Sequence, residues 1–190
     1  MSRGASRALF AGLSCAVLAA LSASCGGGGG GGGGGGPTQP PPPSIIFSPA
    51  SAGPSNAITL ASGIATTANN LDLEVRAATV QNLFGVSFDL HYPTAVLRFA
   101  GRTEGTFLGA GGVPTTIQVV ENPAGNLVVG LSRLGAVAGA SGSGTLISLE
   151  FSRVAAGTGA FEFASPAAFD GSGHRITGLT FVAGSVQVTP

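Results

Sequence analysis

The stretch Phe84–Gly101 reads FGVSFDLHYPTAVLRFAG, and its first eight residues already say what kind of protein this is. Phe84, Val86, Phe88 and Leu90 alternate with Gly85, Ser87, Asp89 and His91. An apolar residue at every second position marks a strand with one dry and one wet face, because successive side chains leave opposite sides of the pleat. Tyr92-Pro93 interrupts the run, and Pro93–Leu97 has room for a single helical turn. The same period recurs outward in both directions. Leu71, Leu73 and Val75 alternate with Asp72, Glu74 and Arg76, and Ile147, Leu149 and Phe151 alternate with Ser148, Glu150 and Ser152. Ile117 and Val119 carry it to Glu121-Asn122-Pro123-Ala124-Gly125-Asn126, a turn signal that predicts a hairpin with Leu127–Leu134. Phe161 and Phe163 predict a short strand, and Val182–Val188 the last one.

Helical periodicity is nearly absent, and Ala136–Gly144 holds too much glycine for a stable helix. Eight or nine short strands from Ile58 onward, separated by glycine-bearing turns, predict an all-β fold of two antiparallel sheets packed face to face. The energetics enforce the register. Each buried Phe, Leu or Val contributes about 1.5–3 kcal/mol, and a slip of one residue would turn a strand's whole apolar set to water.

Upstream the chain changes character. Residues 1–7 carry Arg3 and Arg7 and no acid, and residues 8–23 are apolar or small, with Leu9, Phe10, Leu13, Val17, Leu18 and Leu21 among alanines. A basic start before an apolar run of this length reads as an export signal, short for a membrane span. Ser22-Ala23-Ser24-Cys25 resembles the lipobox of bacterial lipoproteins, in which a small residue precedes a cysteine that is lipidated after cleavage. Ser22 stands where the lipobox has an aliphatic residue, with Leu21 one place earlier. The resemblance implies lipidation of Cys25 and, with Gly26 next, the outer membrane of a diderm bacterium or its cell surface. Simple secretion and an uncleaved N-terminal anchor are the alternatives. Gly26–Gly36 is an unbroken run of eleven glycines, followed by Pro37-Thr38-Gln39 and Pro40–Pro43. Glycine gives a loose coil and proline a short stiff spacer. The organisation expected is a signal peptide over 1–25, a linker over 26–43 and one domain over 44–190.

Composition removes several functions. The chain has eight arginines, no lysine and eight acids, and setting aside Arg3 and Arg7 leaves six arginines against eight acids, a net charge near −2. No basic stripe exists to hold nucleic acid. Both cysteines, Cys15 and Cys25, lie in the leader, so the domain has no disulfide, no thiol nucleophile and no thiolate metal site. With one tyrosine and no tryptophan, a sugar-stacking platform would need Tyr92 or an outward phenylalanine such as Phe107 in its loop.

The order of segments carries a family signal. FGVSFDLHYPTAVLRFAG (Phe84–Gly101), NLVVGLSRL (Asn126–Leu134), GTLISLEFSRVAAGTG (Gly144–Gly159) and FDGSGHRITGLTFVAGSVQV (Phe169–Val188) together resemble the cohesin family. There a strand of the form a-x-F-x-L-x-Y-D-P precedes V-L-x-F, and a later G-x-L-x-x-L-x-F-x-V strand leads to a terminal G-x-V-x-V. The resemblance implies a nine-stranded jelly-roll sandwich that binds calcium-loaded dockerin modules of other exported proteins, classically enzymes acting on plant polysaccharide. The family's Asn-x-Asp contact pair falls on Gly85 and Ser87, and the aspartate between tyrosine and proline is missing, since Tyr92 is followed directly by Pro93. The partner-contact face is then expected at Gly85, Ser87, Asp89 and His91.

The remaining residues give little chemistry. Ser87, Asp89 and His91 name the members of a triad, but a flat strand supplies neither a strained nucleophile turn nor an oxyanion site. Asp170-Gly171-Ser172-Gly173-His174 alternates oxygen ligands with glycine, so Asp170 and Ser172 are the candidates for a weak calcium loop, without the further acids of a helix-loop calcium site. The two histidines are far apart, which leaves zinc without a ligand set. No other cofactor is expected, and no enzymatic activity. Two functions stay open: a non-catalytic envelope module that recognises an exported protein, of dockerin kind or other, and a module that binds polysaccharide.

Overall fold

The computed structural model describes residues 42–190. The expected export signal, Cys25 and the linker up to residue 41 lie outside them. In chain order the strands are β1 (Ser44–Pro49), β2 (Ala57–Ser62), β3 (Asn70–Leu83), β4 (Gly85–His91), β5 (Leu97–Glu104) and β6 (Thr115–Glu121). After them come β7 (Asn126–Arg133), β8 (Ala140–Arg153), β9 (Gly157–Phe169), β10 (Thr180–Val182) and β11 (Gly184–Thr189). They form a six-stranded sheet in the order β1-β11-β9-β4-β7-β6 and a five-stranded sheet in the order β10-β2-β3-β8-β5. The all-β sandwich expected from the alternation is what the chain builds.

Three details differ from expectation. The described residues form eleven strands rather than eight or nine, because β1 precedes Ile58 and the last strand is two. That last run divides where the chain changes sheet: β10 pairs with β2, while β11 pairs with β9 and β1. Gly184 makes the crossing possible, since a Cβ there would lie 2.5 Å from the Phe47 ring. The β10–β2 pairing is also parallel, the exception among otherwise antiparallel ladders. Finally, the short strand expected at Phe161 and Phe163 is the middle of the thirteen-residue β9.

The core lies between the sheets. Leu71, Leu73, Val75, Ile147, Leu149 and Phe151 from one side meet Val86, Phe88, Leu90, Leu127, Val129 and Val186 from the other, all buried. Phe151 is the hub, its ring centroid 5.0 Å from Tyr92, 5.5 Å from Phe161 and 5.8 Å from Phe99. Phe107, expected as an outward aromatic, is buried beside Gly144, where an added Cβ would meet its ring at 3.1 Å. The loop that carries it is fastened by buried Arg133, whose guanidinium donates to the Leu108 carbonyl at 2.8 Å. Pro93–Leu97 makes the expected turn, with the Val96 and Leu97 amides donating to the Pro93 carbonyl.

Candidate partner-binding face

β4 sits near the middle of the six-stranded sheet, between β9 and β7, so its wet positions become the centre of an outer face rather than an edge. Register lays that face out as four rows. Phe169, Gly85, Ser132 and Thr116 form the first, and Ala167, Ser87, Gly130 and Gln118 the second. Ala164, Asp89, Val128 and Val120 form the third. Glu162, His91 and Asn126 close it at the far end. All four residues of the sequence-based contact face therefore lie in line. Ser87 and Asp89 are half-buried, His91 is exposed, and Gly85 is buried between Phe169 and Ser132.

The neighbours from β9, β7 and β6 set the character of the face. Its middle is small and uncharged except at Asp89, with alanine, glycine and serine where charged side chains would stand on an ordinary solvated sheet. Val120 and Val128 are in direct register and are 45% and 43% exposed, an apolar pair at wet positions. Gly130 leaves a hollow, since a Cβ built there meets nothing within 4 Å. Local reading of β4 could not supply these residues, because strand adjacency brings them together. The signals for them in the sequence are valines at wet positions, Val120 of TTIQVVE and Val128 of NLVVGLSR.

Each end of the face is pinned by a carboxylate. At the His91 end, the Tyr92 hydroxyl donates to Glu121 and accepts the Phe99 amide at 3.4 Å, while Glu121 also accepts the Gly125 amide at 3.2 Å. Burial, and then the hydrogen bond to Glu121, raises the Tyr92 pKa above its ordinary 10.0. Tyr92 is thus core rather than a sugar platform, being only 6% exposed. At the Phe169 end, Asp170 Oδ1 accepts the amides of Ser172 and His174, both at 2.9 Å. The His174 amide is the largest cause of a lowered Asp170 pKa. This carboxylate shapes a tight turn with its own backbone, and Ser172 contributes an amide to it. His91 and His174 stand at opposite ends of β4, and the described residues hold no group of three His, Cys, Asp or Glu side chains fit for a metal.

No protein-family model matches the chain, and no curated protein matches it in sequence. Solved structures do match. The second type II cohesin module of the adaptor scaffoldin ScaA from Acetivibrio cellulolyticus is similar over 80% of this chain and 99% of that one, with a TM-score of 0.57 and 16% identity. The fold is that of a cohesin module. A type II cohesin in complex with an X-dockerin, from the same organism, shares this cohesin fold over 73% of this chain and 94% of that one, at a TM-score of 0.53 and 16% identity. The type II cohesin dyad of ScaA matches at a TM-score of 0.53 and 16% identity over 76% of this chain, which spans only 48% of the dyad.

Proposed function

We propose that the cohesin-like module is a non-catalytic adaptor that holds another exported protein, of dockerin kind, against the outer face of β9, β4, β7 and β6. The observation that carries this reading is the flat, nearly uncharged centre of that face, where Ala167, Ser87 and Gly130 lie beside Ala164, Val128 and Val120. Such a surface loses little solvation on being covered, and its small side chains let a partner approach the backbone closely. A related fold is found with a dockerin module in a solved complex, which supports a partner of that class. Lipid on Cys25 would fix the adaptor to the membrane, with 26–43 as its tether.

The test is affinity capture from the native envelope with the wild-type module and with Gly130→Arg, each with and without chelator. One exported protein should be retained by the wild type and lost with the variant. Retention of that protein by both, or recovery of polysaccharide without protein, would overturn the assignment. The tether has a separate check: palmitate labelling should vanish in Cys25→Ala, and labelling that persists would refute the lipid site.

A further inference from the structure

The opposite face of the sandwich holds a feature that partner binding does not use. Asp72 on β3 and Glu150 on β8 are in direct register, and both point away from the core because Leu71, Leu73, Leu149 and Phe151 fill it. Side chains so paired have Cβ atoms about 4.5–5.5 Å apart, and like charges there are destabilising. Other charges on this face do not relieve them. Arg76 pairs with Glu74 at 3.5 Å, and Arg98, in register with Ser152, makes no ion pair with either carboxylate.

Asp72 is also held still. Its amide donates to the Thr66 hydroxyl at 3.1 Å, and its carbonyl accepts the Gly63 amide at 2.7 Å. Gly63 lies so close that a Cβ there would be 2.0 Å from Oδ2, and this lets the loop over 63–69 close on the carboxylate. Oδ2 accepts the Ala65 amide at 3.4 Å, whereas Oδ1 is buried and no donor among the described residues reaches it. Asp72 is only 9% exposed, so an uncompensated carboxylate oxygen is costly here. It lines a cavity of about 280 Å³ together with Glu150, Asn70, Ala65 and Ala100.

We propose that this cavity binds a hard divalent cation, with calcium as its natural occupant. Asp72 and Glu150 supply the charge, the Asn70 side-chain amide a further oxygen, and water the rest of a flexible shell of six to eight oxygens. Among the described residues no imidazole or thiolate lines the cavity, which turns it away from zinc. Two carboxylates place the affinity with the weaker extracellular sites, at a dissociation constant of about 10⁻⁴–10⁻³ M. The Asp170 and Ser172 turn offers an ion less, since Asp170 Oδ1 already accepts the Ser172 and His174 amides.

The experiment uses the full chain without any partner. Calorimetric titration with calcium chloride should show one ion bound, and 10 mM calcium should raise the unfolding midpoint by about 5 °C over chelator. Asp72→Asn and Glu150→Gln should abolish both effects, while Asp170→Ala should keep them. Glu150 is exposed, so its variant remains a folded test even if Asp72→Asn loosens the loop. A midpoint indifferent to calcium in the wild type overturns the proposal. So does a shift that survives Glu150→Gln or disappears with Asp170→Ala.

Discussion

The two outer faces of this sandwich arise from the same alternation and end with opposite characters. On the five-stranded sheet the outward positions hold Glu74, Arg76, Ser148, Glu150 and Arg98, the usual furniture of a solvated surface, with Asp72 covered by the loop over 63–69. On the six-stranded sheet they hold Ser87, Ala164, Ala167, Gly130 and Val128, with Asp89 as the one charge near the middle. A period of two specifies which residues leave the core. It does not specify whether what lies outside is water. That difference has to be read from residue type, and it is why one face suits a partner protein and the other an ion.

The sharpest way to break this contrast is to place the same bulk on each side. Gly130→Arg should lower partner affinity by about 100-fold or more, as blocking the centre of an interface does. Its unfolding midpoint should not move, because the space above Gly130 is open. Ser148→Arg, on the other face, should leave affinity for the captured protein unchanged. An equal loss from both would dissolve the distinction. Val128→Asp charges one of the two paired valines and should cost about tenfold in affinity, with stability kept to within about 0.5 kcal/mol.

Smaller effects test how firmly the ends of the partner face are held. Tyr92→Phe removes the bonds to Glu121 and the Phe99 amide and should cost about 1–2 kcal/mol in denaturant unfolding. The raised pKa gives the sign of a pH dependence: the folded state favours the neutral phenol. Its contribution is whole below pH 10.0 and is lost as pH rises through the higher folded value. The alkaline limb of the wild-type stability curve should therefore flatten in Tyr92→Phe. The weakest effect is expected of Asp170→Asn. A lowered carboxylate pKa stabilises above the ordinary value and is lost as pH falls through the folded one, so this variant should flatten the acid limb slightly.

What the sequence made legible was local, and what it hid was adjacency. Val86–Leu90 and Leu71–Val75 declared their core-facing residues, whereas Phe84 is only half-buried and Gly85 and Asp72 are buried despite their parity, and the turn at Glu121–Asn126 joined β6 to β7 as expected. β9 was read only at Phe161 and Phe163 because GTGAFEFASPAAF is otherwise mostly small residues, and these carry no hydrophobic period. Its length comes from pairing with β4 and β11. Gly85, Ser87, Asp89 and His91 were placed on one face by parity alone. Ala164, Ala167 and Val120 joined them only through strand order. Phe107 looked outward from its loop position, and only the long-range packing on Gly144 shows it to be core.

The pairing of the first strand with the last has a mechanical meaning. β1 lies antiparallel to β11 from Ser44↔Thr189 to Pro49↔Gly184. A pull that enters at Ser44 along the strand, resisted further into the sheet, loads all six register pairs together in shear. The same force applied between Ser44 and Thr189 would peel them apart one at a time. The ladder is thus tougher against a pull along β1 than against one that parts the two strand ends.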